Sequence, residues 1–361
     1  MMPAKPVKRA LFGNAAFQMV AGSELVILEA AEYLISQGWE VDLTAWYFGE
    51  PMLSHALTSG LRIIERPDQA RPFEYDLVWL QNRLEAVLDY SPSEKEVRSS
   101  FFVFAHLDKT WSYAQPGVVA EPLLGQMFIV PSELGVERVV KRGLPAKNVS
   151  IYRNPAPAGF EDEAPVPAER LRRLLIVSNH APPELVIAQS LLQAAAIEVI
   201  HLGVAGDRRH QRVTPEDIIS ADAVVSIGKT IPYALRARRP VYVYDHFGGP
   251  GWLLDDNFAT VKSRNFSGLC CERRLEAVEI AEELVNGYTK AARQAARREV
   301  DPAFCLEKVF AQIFERMKRA RTVNQHRKRM ASKAVALLAE RELAQTAGEF
   351  FNWAHHLNSR Q

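Results

Sequence analysis

The sequence predicts an α/β protein of two doubly wound domains followed by a helical C-terminal extension. Three observations carry that expectation. Short β-branched or aromatic runs alternate with segments of helical period in each half of the chain, a proline-rich stretch divides the halves, and from Pro302 onward the pattern is almost wholly helical. At 361 residues, 48% hydrophobic and 24% charged, the chain has material for two cores.

In the first half, Arg9 to Phe12 reads as a strand leading into a small-residue loop, Gly13 to Glu24. Glu24 to Gln37 sets Leu25, Leu28, Ala31 and Ile35 at helical spacing, and Trp39 to Ala45 reads as the next strand, which completes one βαβ unit. Tyr75 to Leu80, Ser100 to Ala105, Gln126 to Val130 and Val149 to Tyr152 are further strand candidates, separated by polar or helical stretches such as Ser132 to Arg142. Such runs suit a mostly parallel sheet. NPAPAGFEDEAPVPAER, from Asn154 to Arg170, holds four prolines and no apolar period, the composition of an extended linker. The expected domains are therefore 1–158 and 168–300, with a helical segment over 301–361.

The second alternation runs through strands at Arg173 to Ser178, Ile197 to Gly203, Ala223 to Ile227 and Pro240 to Tyr244. Helices are expected at Glu184 to Ala195, Thr214 to Ser220, Ile231 to Arg238 and Glu272 to Tyr288. Thr214 followed by Pro215, Glu216 and Asp217 is a helix start with a mechanism: a capping hydroxyl, a proline suited to the first turn, and carboxylates at the positive end of the dipole.

Charge and cysteine content exclude several classes. The 44 Lys and Arg against 43 Asp and Glu give +1, so bulk electrostatics do not make this a nucleic-acid binder. Cys270, Cys271 and Cys305 fit neither a disulfide framework nor a CxxC zinc site, which points to a reducing, cytoplasmic setting. No apolar run is long enough for a spanning helix, and no signal peptide is expected. Lys290 to Lys333 nevertheless holds 13 Lys and Arg against 4 Asp and Glu. That excess reads either as a solvated helical face or as a patch for an anionic membrane. After it, Ala334, Leu337, Leu338, Leu343, Ala347, Phe350, Phe351 and Trp353 form an apolar set that packs on its own chain, on a second copy as a homodimer, or on a membrane interface.

Open α/β sheets bind ligands beyond the carboxyl ends of their strands, and two such domains are expected to face each other across a central cleft. Gly22 and Ser23 lie where the first strand passes into a helix, where amides can approach a phosphate or sugar, although a turn glycine explains the same residues. Ser226, Gly228, Lys229 and Thr230 form a strand-to-helix turn that reads equally as an anion site or an ordinary loop; Ala223 occupies the place of the first Walker A glycine. DHFGGPGW, Asp245 to Trp252, has three glycines and a proline and is expected to be irregular, with Asp245 and His246 placed to bond a hydroxylated ligand. SRNFSGL follows with Asn265, Ser267 and Gly268 as candidate donors. His106 and His180 each follow a predicted buried strand, as ligand contacts or as satisfied structural residues. Zinc-hydrolase, α/β-hydrolase and kinase motifs have no match.

In three stretches the sequence resembles the GT-B fold glycosyltransferases, in particular the family 4-like retaining enzymes. AGSELVILEAAEYLISQGWEVDL resembles their first loop, helix and second strand. VPSELGVERVVKRGLPAKNVSIYRNPAPAGF resembles the stretch that closes their N-terminal domain, and ISADAVVSIGKTIPYALRARRPVYVYD resembles their donor-binding core. The resemblance implies two Rossmann-like domains and transfer from a nucleotide-diphosphate sugar to a glycan or lipid-linked glycan, without metal or resident cofactor, at the inner face of the membrane. It places Gly228, Lys229 and Thr230 near the donor's diphosphate, the loop from His246 to Gly251, with Gly248 and Gly249, near the sugar or phosphate, His106 at the donor sugar, and Gly22 and Ser23 at the phosphates; Asn179, His180, Ser226, Tyr233, Asp245, Ser267 and Gly268 are further donor-site candidates by position. A retaining enzyme needs no enzymatic nucleophile, whereas an inverting one needs a base, for which Glu24, Asp108 and His106 are the candidates by position. The departures are specific. The family's paired glutamates fall at Val225 and Tyr233, and its basic pair after the first C-terminal strand is replaced by Asn179, His180 and prolines. A sugar-nucleotide epimerase or phosphorylase, and a non-catalytic nucleotide-sugar or glycan-binding protein, are the alternatives on the same plan.

Overall fold

Seven strands form one parallel sheet in the first part of the chain, in the order β3-β2-β1-β4-β5-β6-β7. They are β1 (Arg9–Phe17), β2 (Glu40–Phe48), β3 (Arg62–Ile64), β4 (Leu77–Gln81), β5 (Phe101–Ala105), β6 (Gly125–Val130) and β7 (Val149–Ile151). Helices α1 (Gly22–Ser36), α2 (Met52–Thr58), α3 (Ala120–Leu124) and α4 (Glu133–Lys141) alternate with them. The computed structural model describes residues 7–91, 100–108, 114–117, 120–162, 168–204, 206 and 211–320. Every residue of β4 and β5 is buried, which is why LVWLQ and FFVFA carry no alternation. Phe104 stacks between Phe102 and Phe128 with ring centroids 6.2 and 6.0 Å away. Burying such a side chain contributes roughly 1.5–3 kcal/mol.

The second sheet has the order β12-β11-β10-β8-β9, from β8 (Arg173–Val177), β9 (Glu198–Leu202), β10 (Ala223–Ser226), β11 (Val241–Asp245) and β12 (Gly248–Trp252). Its helices are α5 (Pro183–Ala194), α6 (Pro215–Ser220), α7 (Thr230–Arg236), α8 (Phe258–Ser263) and α9 (Ala277–Arg297), followed by α10 (Leu306–Arg319). Thr214 caps α6 as expected: its hydroxyl accepts from the Asp217 amide, and the Asp217 carboxylate accepts from the Thr214 amide.

By contacts the chain divides into two units. One holds the chain to Pro131, Gly135–Ile151 and the chain from Ala311; the other holds Ser132–Leu134 and Tyr152–Phe310. The described part of the proline-rich stretch packs within the second unit. Phe160 stacks on Tyr233 at 4.2 Å, and the Ala156 backbone pairs with Phe304 and Leu306 on either side of Cys305.

Two expectations are corrected. The segment Gly248–Trp252 is a strand, antiparallel to β11, because its glycines let the backbone press against neighbouring carbonyls: a Cβ on Gly249 would lie 2.0 Å from the Val243 oxygen. The first loop is shorter than expected, since β1 continues through Gly13 to Phe17 in register with β2 and leaves only residues 18–21 between strand and helix. Among the described residues no helix is long and apolar enough to cross a membrane. The apolar set from Ala334 to Trp353, and the basic run beyond Ala320, lie outside the described residues.

Candidate functional site

In both sheets the strand order reverses beside the first strand of the unit, between β1 and β4 and between β8 and β10. The loops leaving those carboxyl ends are where this topology places a ligand.

At the first switch point, Asn14 is buried, and its side-chain oxygen accepts from Asn82 Nδ2 at 2.6 Å and from the Ala15 amide at 2.9 Å. Asn82 and Arg83, just past β4, both take left-handed conformations, with φ of 55° and 58°. Two consecutive non-glycine residues in that region store strain of order 1–3 kcal/mol each, the kind that collects at binding sites. Gln81 beside them is 2% exposed, and its Nε2 has no partner among the described residues. None of these four was among the sequence-derived candidates. Asn14 falls in the segment read from the sequence as a loop, so its place as a polar residue in an apolar strand emerges only from the structure.

Glu24 lies in the first turn of α1, after Gly22 and Ser23, and is 7% exposed. Burial pushes its carboxyl from 4.5 up to about 7; hydrogen bonds from the Ser23 hydroxyl and from the backbone at Glu24 and Met19 restrain the rise. Ser23 Oγ donates to Glu24 Oε2 at 2.5 Å. A carboxyl tuned to neutrality in the first turn of a helix is equipped to take a proton.

His106, beyond β5, is turned inward. Its Nε2 lies 2.9 Å from Glu121 Oε2, off the ring N–H axis, and its Nδ1 is 3.3 Å from the Ala114 carbonyl. Glu121 Oε1 also accepts from the Gly117 amide at 2.8 Å. Asp108 is exposed, and its charge supports the Arg138 guanidinium, whose pKa is pushed down by burial. Arg138 donates to the His106 carbonyl at 3.2 Å. Since β4 separates β1 from β5, Glu24, in the helix after β1, and His106, just past β5, follow strands that are not neighbours.

The second unit gathers a polar cluster at the ends of β8 and β11. Ser178 Oγ lies 3.0 and 2.9 Å from the two Asp245 carboxylate oxygens and accepts from the His180 amide at 3.0 Å. Asp245, 3% exposed, also accepts from the His246 amide at 2.7 Å. The His180 and His246 rings meet edge to face at 5.3 Å. Ser226 Oγ donates to the Val177 carbonyl at 2.7 Å, tying β10 to β8. Asn179 follows Ser178 in the same turn.

Other sequence-derived candidates are engaged by the chain itself. Lys229 donates to the carbonyls of Pro155 at 2.9 Å and Asn154 at 3.3 Å and lies 4.7 Å from the Tyr233 ring centroid. Tyr233 is 1% exposed, in the core. Gly228 has φ +62° and donates to the Phe266 carbonyl, and Thr230 begins α7. Gly248, with φ +73°, lies against the Arg273 carbonyl; Gly268, with φ +79°, lies against that of Gly248. Ser267 Oγ donates to the Arg264 carbonyl at 2.8 Å. Gly248 and Gly268 pack at the β11–β12 corner, whereas Gly228, Lys229 and Thr230 form the turn from β10 into α7. Among the described residues no group of three His, Cys, Asp or Glu side chains is arranged to hold a metal ion.

No protein-family model and no curated protein matches the sequence. Solved structures do match its fold. A glycosyltransferase from Rickettsia africae superposes with a TM-score of 0.55 at 13% identity, over 88% of this chain and 100% of that one. HepE of Anabaena, in complex with UDP, superposes at 0.54 and 12% identity, over 86% and 100%. The chain has the GT-B fold. UDP-GlcNAc 2-epimerase from Neisseria meningitidis, bound to UDP-GlcNAc, superposes at 0.50 and 12%, over 86% and 100%. In GT-B terms, the seven-stranded sheet is the N-terminal Rossmann-like domain and the five-stranded sheet the C-terminal one.

Proposed function

We propose that the protein is a glycosyltransferase that moves a sugar from a nucleotide-diphosphate sugar to the hydroxyl of a glycan or lipid-linked glycan. The observation that carries this reading is Glu24, a buried carboxyl with a pKa of about 7 in the first turn of the helix that follows the first strand of a GT-B fold. In the proposed step the acceptor oxygen forms a bond to the anomeric carbon, the bond from that carbon to the β-phosphate oxygen breaks, and the nucleoside diphosphate leaves with the bonding pair. The acceptor proton passes to Glu24. Retention, which the sequence resemblance implies, gives Glu24 no proton to take, because the leaving phosphate takes it. A carboxyl tuned to neutrality favours inversion.

We assign the donor to the second unit, at Ser178, His180, Asp245 and His246, where hydroxyl, imidazole and carboxylate groups converge. HepE carries UDP, which favours a uridine nucleotide. Thermal-shift titration with UDP, GDP, CDP, ADP and dTDP, with and without magnesium, tests the assignment, since a ligand specific to the folded state raises the melting temperature. UDP is expected to stabilise the protein; no shift with any diphosphate removes the donor site from this reading. The likeness to a UDP-GlcNAc 2-epimerase favours a second reading. Epimerisation turns over donor without an acceptor, whereas transfer needs one, so product analysis with and without acceptor separates the two.

A further inference from the structure

A groove of about 580 Å³ opens at the amino ends of β5 and β6, the opposite end of the sheet from the strand ends described above, and all its lining belongs to the first unit. Its apolar surface includes Phe101, Leu123 and Pro145; its charged groups are Lys147, Arg316 and Arg319. Leu123 is 47% exposed although it is a large aliphatic side chain. Arg316 and Arg319 stand three apart on α10 and so project to the same side of the helix. No Asp or Glu lines the groove. Among the described residues none of the three cations makes an ion pair, while the neighbouring Lys318 pairs with Glu315 at 2.5 Å.

The volume falls in the range of small-molecule sites. Three cations around one groove repel each other, and an anion between them relieves that repulsion. A small hydrophilic anion would leave Leu123 and Pro145 in water, and a neutral apolar ligand would desolvate the cations without compensation. A molecule with an anionic head and an apolar body satisfies both surfaces. We propose that this groove binds an anionic phospholipid, with the phosphate at the Lys147, Arg316 and Arg319 rim and the first acyl carbons against Leu123 and Phe101. The sequence adds five more cations and no acid between Arg321 and Lys333, so charge of the same sign continues past α10. One acyl contact alone binds weakly, and basic residues beside it strengthen attachment to an anionic leaflet.

The full chain is titrated with dihexanoyl-phosphatidylglycerol below its micelle concentration, with dihexanoyl-phosphatidylcholine and with glycerol phosphate. It is then floated with phosphatidylcholine vesicles with and without phosphatidylglycerol. Binding of the short-chain phosphatidylglycerol alone is expected, weakened about tenfold or more in R316Q/R319Q and unchanged in K141Q/R142Q, which removes equal charge at the end of α4 and just past it, outside the groove. K147Q and L123Q are each expected to weaken it too, and they keep the test decisive if the double variant does not fold. Equal binding of glycerol phosphate would mean an anion site only, and equal binding of phosphatidylcholine a greasy surface only; either overturns the proposal. So does flotation or short-chain binding that survives R316Q/R319Q. The readout is independent of nucleotide binding, so failure here leaves the proposed transfer reaction standing.

Discussion

The Ser178 hydroxyl lies 3.0 and 2.9 Å from the two oxygens of the Asp245 carboxylate, linking the ends of β8 and β11 across the intervening β10. Both groups are buried. A buried carboxylate needs donors, and this one has the hydroxyl and the His246 amide. The same hydroxyl oxygen accepts from the His180 amide, so one serine sets the positions of both histidines in the cluster.

Replacing Ser178 with Ala leaves Asp245 short of a donor and the His180 amide short of an acceptor. The expected loss is about 1–3 kcal/mol of stability, together with weaker nucleoside-diphosphate binding. Urea unfolding and the thermal-shift titration measure the two effects separately.

Glu24 makes stability and activity depend on pH in opposite senses. Its folded pKa, about 7, lies above the 4.5 of the free side chain, so the folded state binds more protons between those values and stability falls as pH rises through them. Above pH 7 the buried carboxylate costs about 3 kcal/mol. Glu24→Gln is therefore expected to be more stable than the parent at pH 8, with the advantage shrinking towards pH 4.5, as urea unfolding across that range will read. Transfer needs the ionised form, so the rate is expected to climb towards a plateau above pH 7 and to be lost in E24Q while nucleotide binding persists.

Gly203 has φ +135°, and a Cβ there would sit 1.8 Å from the Ser178 carbonyl oxygen. Gly143 has φ +98° with open space around it. Gly203→Ala is expected to cost about 4 kcal/mol or more and Gly143→Ala about 1–2 kcal/mol, so comparing their unfolding midpoints isolates the close approach from the backbone conformation.

Lys229→Met is expected to lower stability by about 1–3 kcal/mol, because the Asn154 and Pro155 carbonyls lose their donor. Nucleotide affinity is expected to stay within about twofold, since the ammonium faces those carbonyls. A large fall in affinity at unchanged stability would return the lysine to the donor site.

Much of the architecture was legible because apolar runs such as LVWLQ and FFVFA announce buried parallel strands, and because Thr214-Pro215-Glu216-Asp217 states a helix start outright. GGPGW was not: a strand built on backbone packing has no side-chain period to read. Of the site, Glu24 follows from its place at the start of the helix after the first strand, and Asn179, His180 and Asp245 from positions at strand ends. The partner of His106 does not, because Glu121 lies fifteen residues on, at the start of α3, and meets the ring only through the fold. The left-handed pair Asn82 and Arg83 was also missed: asparagine takes a positive φ more readily than most residues, but arginine does not, and nothing in the sequence marks the two as a left-handed pair.

The packing of Phe160 on Tyr233 decides where the second unit can be cut free. A fragment starting at residue 168, after the last proline of the interdomain stretch, would strip Tyr233 of its stacking ring, and the 2%-exposed Arg236 of the Ala156 carbonyl and of Glu161. One starting at Tyr152, where the long segment of the second unit begins, keeps all three.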